Sequence, residues 1–167
     1  MKNIVLIGMP AVGKSTVGVI LAKLLGYEFV DTDLIIQRKE GRLLKEIIEE
    51  KGADGFIELE NRILSGLDAK DAIIATGGSV VYGREAMQNL SRDSVVIYLR
   101  LDCDKLKNRL KSLKNRGVVI RNGQSLNDLY SERAPMYEKY ADIVIDTDRC
   151  SIEKTVGKIM AEIGRSL

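Results

Sequence analysis

The chain has 167 residues, 45% hydrophobic and 30% charged, with 26 basic and 24 acidic side chains and a formal net charge of +2. That length fits one domain with a substantial core, and near-neutrality argues against a general nucleic-acid binder. There is no histidine, which excludes His-based triads, His-ligated zinc and an imidazole base.

Short aliphatic runs alternate with helix-length amphipathic segments. The pattern predicts a strand over Asn3–Ile7, a glycine-rich loop, and a helix over Lys14–Leu25 with Val17, Ile20, Leu21 and Leu24 on one face. A second strand, Glu28–Val30, runs into Asp31-Thr32-Asp33. Helical patches follow over Leu34–Lys39, Leu43–Glu50 and Gly55–Leu67. A third strand, Ala72–Ala75, meets Thr76-Gly77-Gly78-Ser79. Arg84–Leu90 reads as helix, Val95–Leu99 as strand, and Asp102–Leu113 as helix with Asp102 as its cap. Helix Leu126–Tyr140, strand Ile143–Asp146 and helix Ile152–Ile163 complete the chain.

This alternation predicts an α/β fold, a five-stranded parallel sheet flanked by helices, as one domain over residues 1–167. Ligands in such sheets bind beyond the carboxyl ends of the strands. Three polar clusters fall there: Gly8–Thr16, Asp31–Asp33 and Thr76–Ser79. Cys103 and Cys150 have neither metal nor disulfide-framework spacing, and the N-terminal apolar run is too short to span a membrane. Free thiols, a cytoplasmic location, no membrane partner and a monomer are the expectations.

Gly8-Met9-Pro10-Ala11-Val12-Gly13-Lys14-Ser15-Thr16 fits G-x-x-x-x-G-K-[ST], between a strand and a helix as the chemistry requires. The loop residues Pro10, Ala11, Val12 and Gly13 through Thr16 would wrap a phosphate, each except Pro10 offering a backbone N–H. Lys14 would reach the β and γ phosphates, and Ser15 would bind magnesium. ATP or GTP with Mg2+ is therefore expected. No Asn-Lys-x-Asp guanine box is present, and the length is short for a motor or ring ATPase. A small-molecule or nucleotide kinase remains.

From here the motif set resembles the shikimate kinases, phosphate-loop kinases with a lid like that of nucleoside monophosphate kinases. The likeness is carried by the phosphate loop, Asp31-Thr32-Asp33, the Phe56…Glu60 segment and Thr76-Gly77-Gly78. Arg109 and Arg116 around a lid, and Glu132-Arg133-Ala134-Pro135-Met136-Tyr137, complete it. It implies an acceptor-binding helical region at about 33–62, a lid at about 112–124, and ATP-dependent conversion of shikimate to 3-phosphoshikimate in aromatic amino-acid biosynthesis. Asp31 would hold magnesium through water beside Ser15. Asp33 would orient the acceptor hydroxyl and act as its base, or else cap the following helix. Arg116 would stabilise charge on the transferred phosphoryl group, and Arg109 would stack on adenine with Arg149 as a second candidate. Glu60, Gly77, Gly78, Ser79 and Arg133 would face the acceptor, Arg133 taking its carboxylate. The stretch from Arg100 to Arg121 holds eight basic residues against Asp102 and Asp104, a local net of +6, which suits a lid over phosphates.

Three positions depart from the family pattern. Ile57 stands where the family has a carboxylate-binding arginine, Ser79 replaces a third glycine, and the lid reads Arg116-Gly117-Val118-Val119. Arg62 or Arg84 would have to compensate for Ile57. These departures leave two alternatives: a kinase for another alcohol or a nucleotide, or a non-catalytic nucleotide sensor.

Overall fold

The structure, a computed structural model, describes residues 2–111 and 117–166. Strands β1 (Asn3–Ile7), β2 (Glu28–Asp31), β3 (Ala72–Ala75), β4 (Ser94–Arg100) and β5 (Ile143–Asp146) form one sheet in the order β2-β3-β1-β4-β5. Every neighbouring pair is parallel, with Ile4 opposite Ile73 and Val95 across the two central ladders. The helices are α1 (Lys14–Leu25), α2 (Thr32–Glu40), α3 (Leu44–Ser65), α4 (Arg84–Ser91), α5 (Cys103–Lys111), α6 (Leu126–Tyr140) and α7 (Ile152–Ser166).

The aliphatic runs explain the sheet's position. Val5, Leu6, Ile7, Ile73, Val96 and Ile97 are all buried, which a strand achieves only when both faces are covered. Helix α1 packs on β3 and against α7, and α3 packs along α4, which lies on β4. Tyr98 of β4 stacks on Tyr137 of α6 with ring centroids 5.1 Å apart, fixing α6 over the sheet. No helix among the described residues is long and apolar enough to cross a membrane.

Several expectations need correction. Leu24 is 60% exposed, because the buried stripe of α1 runs through Val17, Gly18, Leu21 and Ala22. The patches Leu43–Glu50 and Gly55–Leu67 join into α3, bent at Gly52, whose φ of 71° is open to glycine and costly for other residues. The end of the predicted Asp102–Leu113 helix, beyond Lys111, lies outside the described residues. Strand β2 runs one residue further, to Asp31, and α2 starts at Thr32. Asp33 therefore stands in the first turn of a helix rather than on a strand end. The cap of α2 is Asp31, not Asp33.

Candidate active site

The phosphate loop is built by backbone conformations that its sequence permits. Gly8 has φ 145°, and a methyl group placed on it would come within 2.6 Å of the Leu99 carbonyl oxygen. Gly13 has φ 105° and caps α1 without any side-chain hydrogen bond, and the first turn of α1 carries no acidic residue. The N-terminus of a twelve-residue helix thus faces the loop with N–H groups and its dipole uncompensated by a carboxylate. Gly8→Ala is expected to cost about 1–3 kcal/mol, the scale of local backbone strain. A lowered melting temperature together with weakened ATP binding by titration calorimetry checks it; an unchanged melting temperature contradicts it.

Lys14 is buried, and its Nζ donates to the carbonyls of Gly8 at 2.7 Å and Met9 at 2.8 Å. Its ammonium group is thereby held inside the loop. Ser15 Oγ donates to Asp31 Oδ2 at 3.0 Å. The other oxygen of Asp31 accepts the N–H groups of Asp33 and Leu34, at 3.0 and 3.4 Å. One carboxylate thus caps α2 and faces the phosphate loop at once. Thr16 is exposed in the first turn of α1, beside Ser15.

A second wall comes from the turn after β3. The Thr76 hydroxyl donates to the Leu6 carbonyl at 2.8 Å, and the Gly77 N–H to the Thr32 hydroxyl at 3.3 Å, tying the turn to β1 and α2. A methyl on Gly77 would lie 2.9 Å from Asp33 Oδ1 and 3.0 Å from Glu60 Oε2, so two carboxylates converge over this glycine. A methyl on Gly78 would lie 2.8 Å from Pro10 Cδ and 3.0 Å from Arg133 Nη1. The Tyr137 hydroxyl donates to the Gly78 carbonyl at 2.6 Å.

Pro10, Lys14, Asp33, Phe56, the Thr76–Ser79 turn and residues 117–119 enclose one cleft. Its free volume is about 20 Å³, room for about one water. Ser79 does not present its hydroxyl to this space. It donates to Glu60 Oε1 at 2.6 Å. Glu60 is 1% exposed, and burial pushes its carboxyl up to about 7; the Ser79 hydrogen bond opposes the rise, Asp33 adds to it, and Arg133 and Lys14 oppose it. Arg133 is equally buried, and its Nη2 donates to the Val119 carbonyl at 2.7 Å, closing residues 117–119 over the cleft. Ile57 is half-buried and packs against the core, and neither Arg62 nor Arg84 lines the cleft.

On the nucleotide side, Arg109 is exposed and its Nη1 donates to the carbonyls of Ala11 and Val12, each at 3.3 Å. Arg149 lies exposed in the loop before α7 with φ 56°. That loop adjoins the phosphate loop, since Ile152 Cδ1 lies 3.7 Å from where a methyl on Gly13 would stand. Arg116 and the lid over 112–116 lie outside the described residues. Both thiols are free. The packing of the Arg121 and Arg133 guanidinium groups over the Tyr82 ring, the packing role of Tyr137 and the closing role of Val119 were not expected from sequence. The one available signal was Tyr137, one helical turn after Arg133.

Comparisons with known proteins agree with this geometry. The family model described as shikimate kinase matches residues 10–164. The chain is 38% identical to the shikimate kinase of Thermodesulfovibrio yellowstonii, over 99% of this chain and 96% of that one. It is similar to the solved structure of shikimate kinase from Acinetobacter baumannii in complex with shikimate, at 32% identity and a TM-score of 0.88, covering 99% and 94% of the two chains. The structure of shikimate kinase from Aquifex aeolicus matches at 30% identity and a TM-score of 0.80, covering 99% and 98%.

Proposed function

The chain belongs to the shikimate kinase family and is an ATP-dependent kinase that phosphorylates shikimate, and we propose that transfer occurs in the cleft between Lys14, Asp33 and the Gly77–Ser79 turn. The observation that carries this placement is the meeting of Lys14 and Asp33 in one closed cleft at the carboxyl ends of β1, β2 and β3. A cation suited to phosphate and a carboxylate suited to a hydroxyl face the same space. A pure nucleotide binder has no use for the second.

In the proposed reaction the acceptor hydroxyl attacks the γ-phosphorus. The new O–P bond forms as the bond to the β–γ bridging oxygen breaks, and the hydroxyl proton passes to Asp33. Lys14 exchanges its two loop carbonyls for phosphate oxygens and offsets the charge spreading over them. Arg116 serves the same charge from the lid, and Arg109 and Arg149 border the adenine. Arg133 takes the acceptor carboxylate once the Val119 carbonyl releases it, so acceptor entry and withdrawal of residues 117–119 are one event. Renewed closure keeps water from the γ-phosphate. An acceptor-binding region at about 33–62 and a lid at about 112–124 follow from these assignments.

Ser15 and Asp31 fit magnesium. Both offer oxygen, and no group of three or more acidic or sulfur side chains surrounds them among the described residues. That suits an ion that keeps waters and takes phosphate oxygens for most of its ligands. When bound, magnesium would offset charge on the β and γ phosphates. Asp31→Asn keeps an oxygen to cap α2 and removes the charge. It is expected to raise the Mg2+ concentration for half-maximal activity about 10–100-fold, the scale of losing an outer-shell partner. An unchanged magnesium titration contradicts the assignment.

Acceptor choice is tested by following ADP release with magnesium-ATP over a panel of hydroxylated metabolites that includes shikimate. Shikimate should give the highest kcat/KM. Turnover confined to another alcohol would overturn the acceptor.

A further inference from the structure

Glu60 is the only buried acid among the described residues. One of its oxygens accepts from Ser79, and the other, Oε2, has no hydrogen-bond partner among those residues. A buried carboxylate oxygen without a donor is costly, by more than an ordinary hydrogen bond returns. The oxygen is not turned into the core. It and Asp33 Oδ1 converge where a methyl on Gly77 would stand, and Gly77 and Asp33 line the acceptor cleft.

We propose that Ser79 is a positioning residue for the acceptor: its hydroxyl holds one oxygen of Glu60 so that the other, beside Asp33, receives a second hydrogen bond from the acceptor's hydroxyls. The inference rests on the acceptor reading above. Ser79 can do this because it begins the short 3₁₀ turn Val80–Tyr82 and is 3% exposed, so its side chain has a fixed direction. The acceptor thereby meets two carboxylates through two hydroxyls. That arrangement favours a polyhydroxylated substrate over a simple alcohol.

The charged groups that act on Glu60 are Asp33 of α2, Lys14 at the start of α1 and Arg133 of α6, with the Tyr137 phenol of α6 beside it. The ionised carboxylate accepts a hydroxyl better than the neutral acid, and the group titrates near neutrality. Shikimate affinity should therefore rise as pH rises through about 7. The Ser79 hydrogen bond holds the Glu60 value down, so without it this rise moves to higher pH.

The test uses steady-state kinetics with magnesium-ATP and shikimate, and calorimetric shikimate binding from pH 6 to 8, on the wild type, Ser79→Ala, Glu60→Gln and the double variant. Ser79→Ala is expected to raise KM for shikimate about tenfold at pH 7, the lower end for a hydrogen bond to a charged group, with KM for ATP unchanged. Its binding rise should shift to higher pH, and the double variant should be no worse than Glu60→Gln, because Ser79 acts through Glu60. The Glu60→Gln and binding arms keep the question open to refutation even where Ser79→Ala lowers the melting temperature. Unchanged shikimate KM in Ser79→Ala, an unshifted pH profile or additive losses in the double variant would overturn the role of Ser79. A wild type that releases no ADP with shikimate would overturn the acceptor reading itself, and the proposal with it.

Discussion

Replacing Lys14 by methionine is expected to lower kcat for shikimate phosphorylation about 10²–10³-fold, the loss measured when one preorganised charge-stabilising donor is removed from an active site. Methionine keeps most of the buried stem and removes the ammonium group. The Lys14 nitrogen already sits between the Gly8 and Met9 carbonyls, so it needs little reorganisation to meet phosphate oxygens. The variant also leaves the buried Gly8 and Met9 carbonyls without this donor, which lowers the melting temperature, so the loss is read in kcat of the folded protein. Rapid-quench measurement of the transfer step, with circular dichroism as a control for folding, checks it. Near-normal transfer rates in a folded variant would overturn the role of the phosphate loop.

The second large effect concerns Asp33. Asp33→Asn keeps the size of the side chain and the backbone N–H that Asp31 caps. It removes the charge proposed to orient the acceptor hydroxyl and receive its proton. General bases contribute about 10²–10⁴-fold. Phosphoryl transfer has a loose transition state in which the nucleophile is little deprotonated, so the lower end, about a hundredfold in kcat, is the expected loss. Retention of ATP affinity distinguishes this from collapse of the phosphate loop, whose Ser15 is hydrogen-bonded to Asp31. The check is a pairing of kcat with ATP binding by calorimetry. A variant that loses ATP affinity while keeping kcat at saturation would show that Asp33 serves the nucleotide and not the acceptor.

These two residues were legible in the sequence for different reasons. Lys14 is specified locally. The loop's conformation is written in Gly8 and Gly13, and the strand and helix beside it are fixed by aliphatic periodicity. The same local logic gives β3, β5 and α6 their predicted bounds. In α6 the Ser125 hydroxyl accepts the Asp128 N–H while the Asp128 carboxylate accepts the Ser125 N–H. Asp33 stood out in the sequence as a candidate, but its local structure was not legible there. Capping falls to Asp31, and Asp33, in the first turn of α2, lines the cleft, a distinction that only the start of α2 at Thr32 reveals. The continuous α3 was hidden because a single glycine conformation at Gly52 bends a helix that its neighbours continue.

The acceptor side was least legible, since its contacts join residues far apart in the chain. Ser79 meets Glu60 across 19 positions, Tyr137 meets Gly78 across 59, and Arg133 meets Val119 across 14. No spacing rule marks such pairs. Ser79 read as a side chain intruding on the ligand, whereas the structure turns it toward a buried carboxylate. Ile57 read as a missing charge, and the structure places it as a packed, half-buried side chain.

The central claim is that this cleft passes the γ-phosphoryl group of ATP to a shikimate hydroxyl and not to water. Phosphorus-31 NMR of the wild-type protein with magnesium-ATP and shikimate follows both fates in one sample. The account predicts one equivalent of a shikimate phosphate monoester for each ADP formed, with no inorganic phosphate ahead of it. ADP appearing with inorganic phosphate alone, or ATP unchanged, would contradict it.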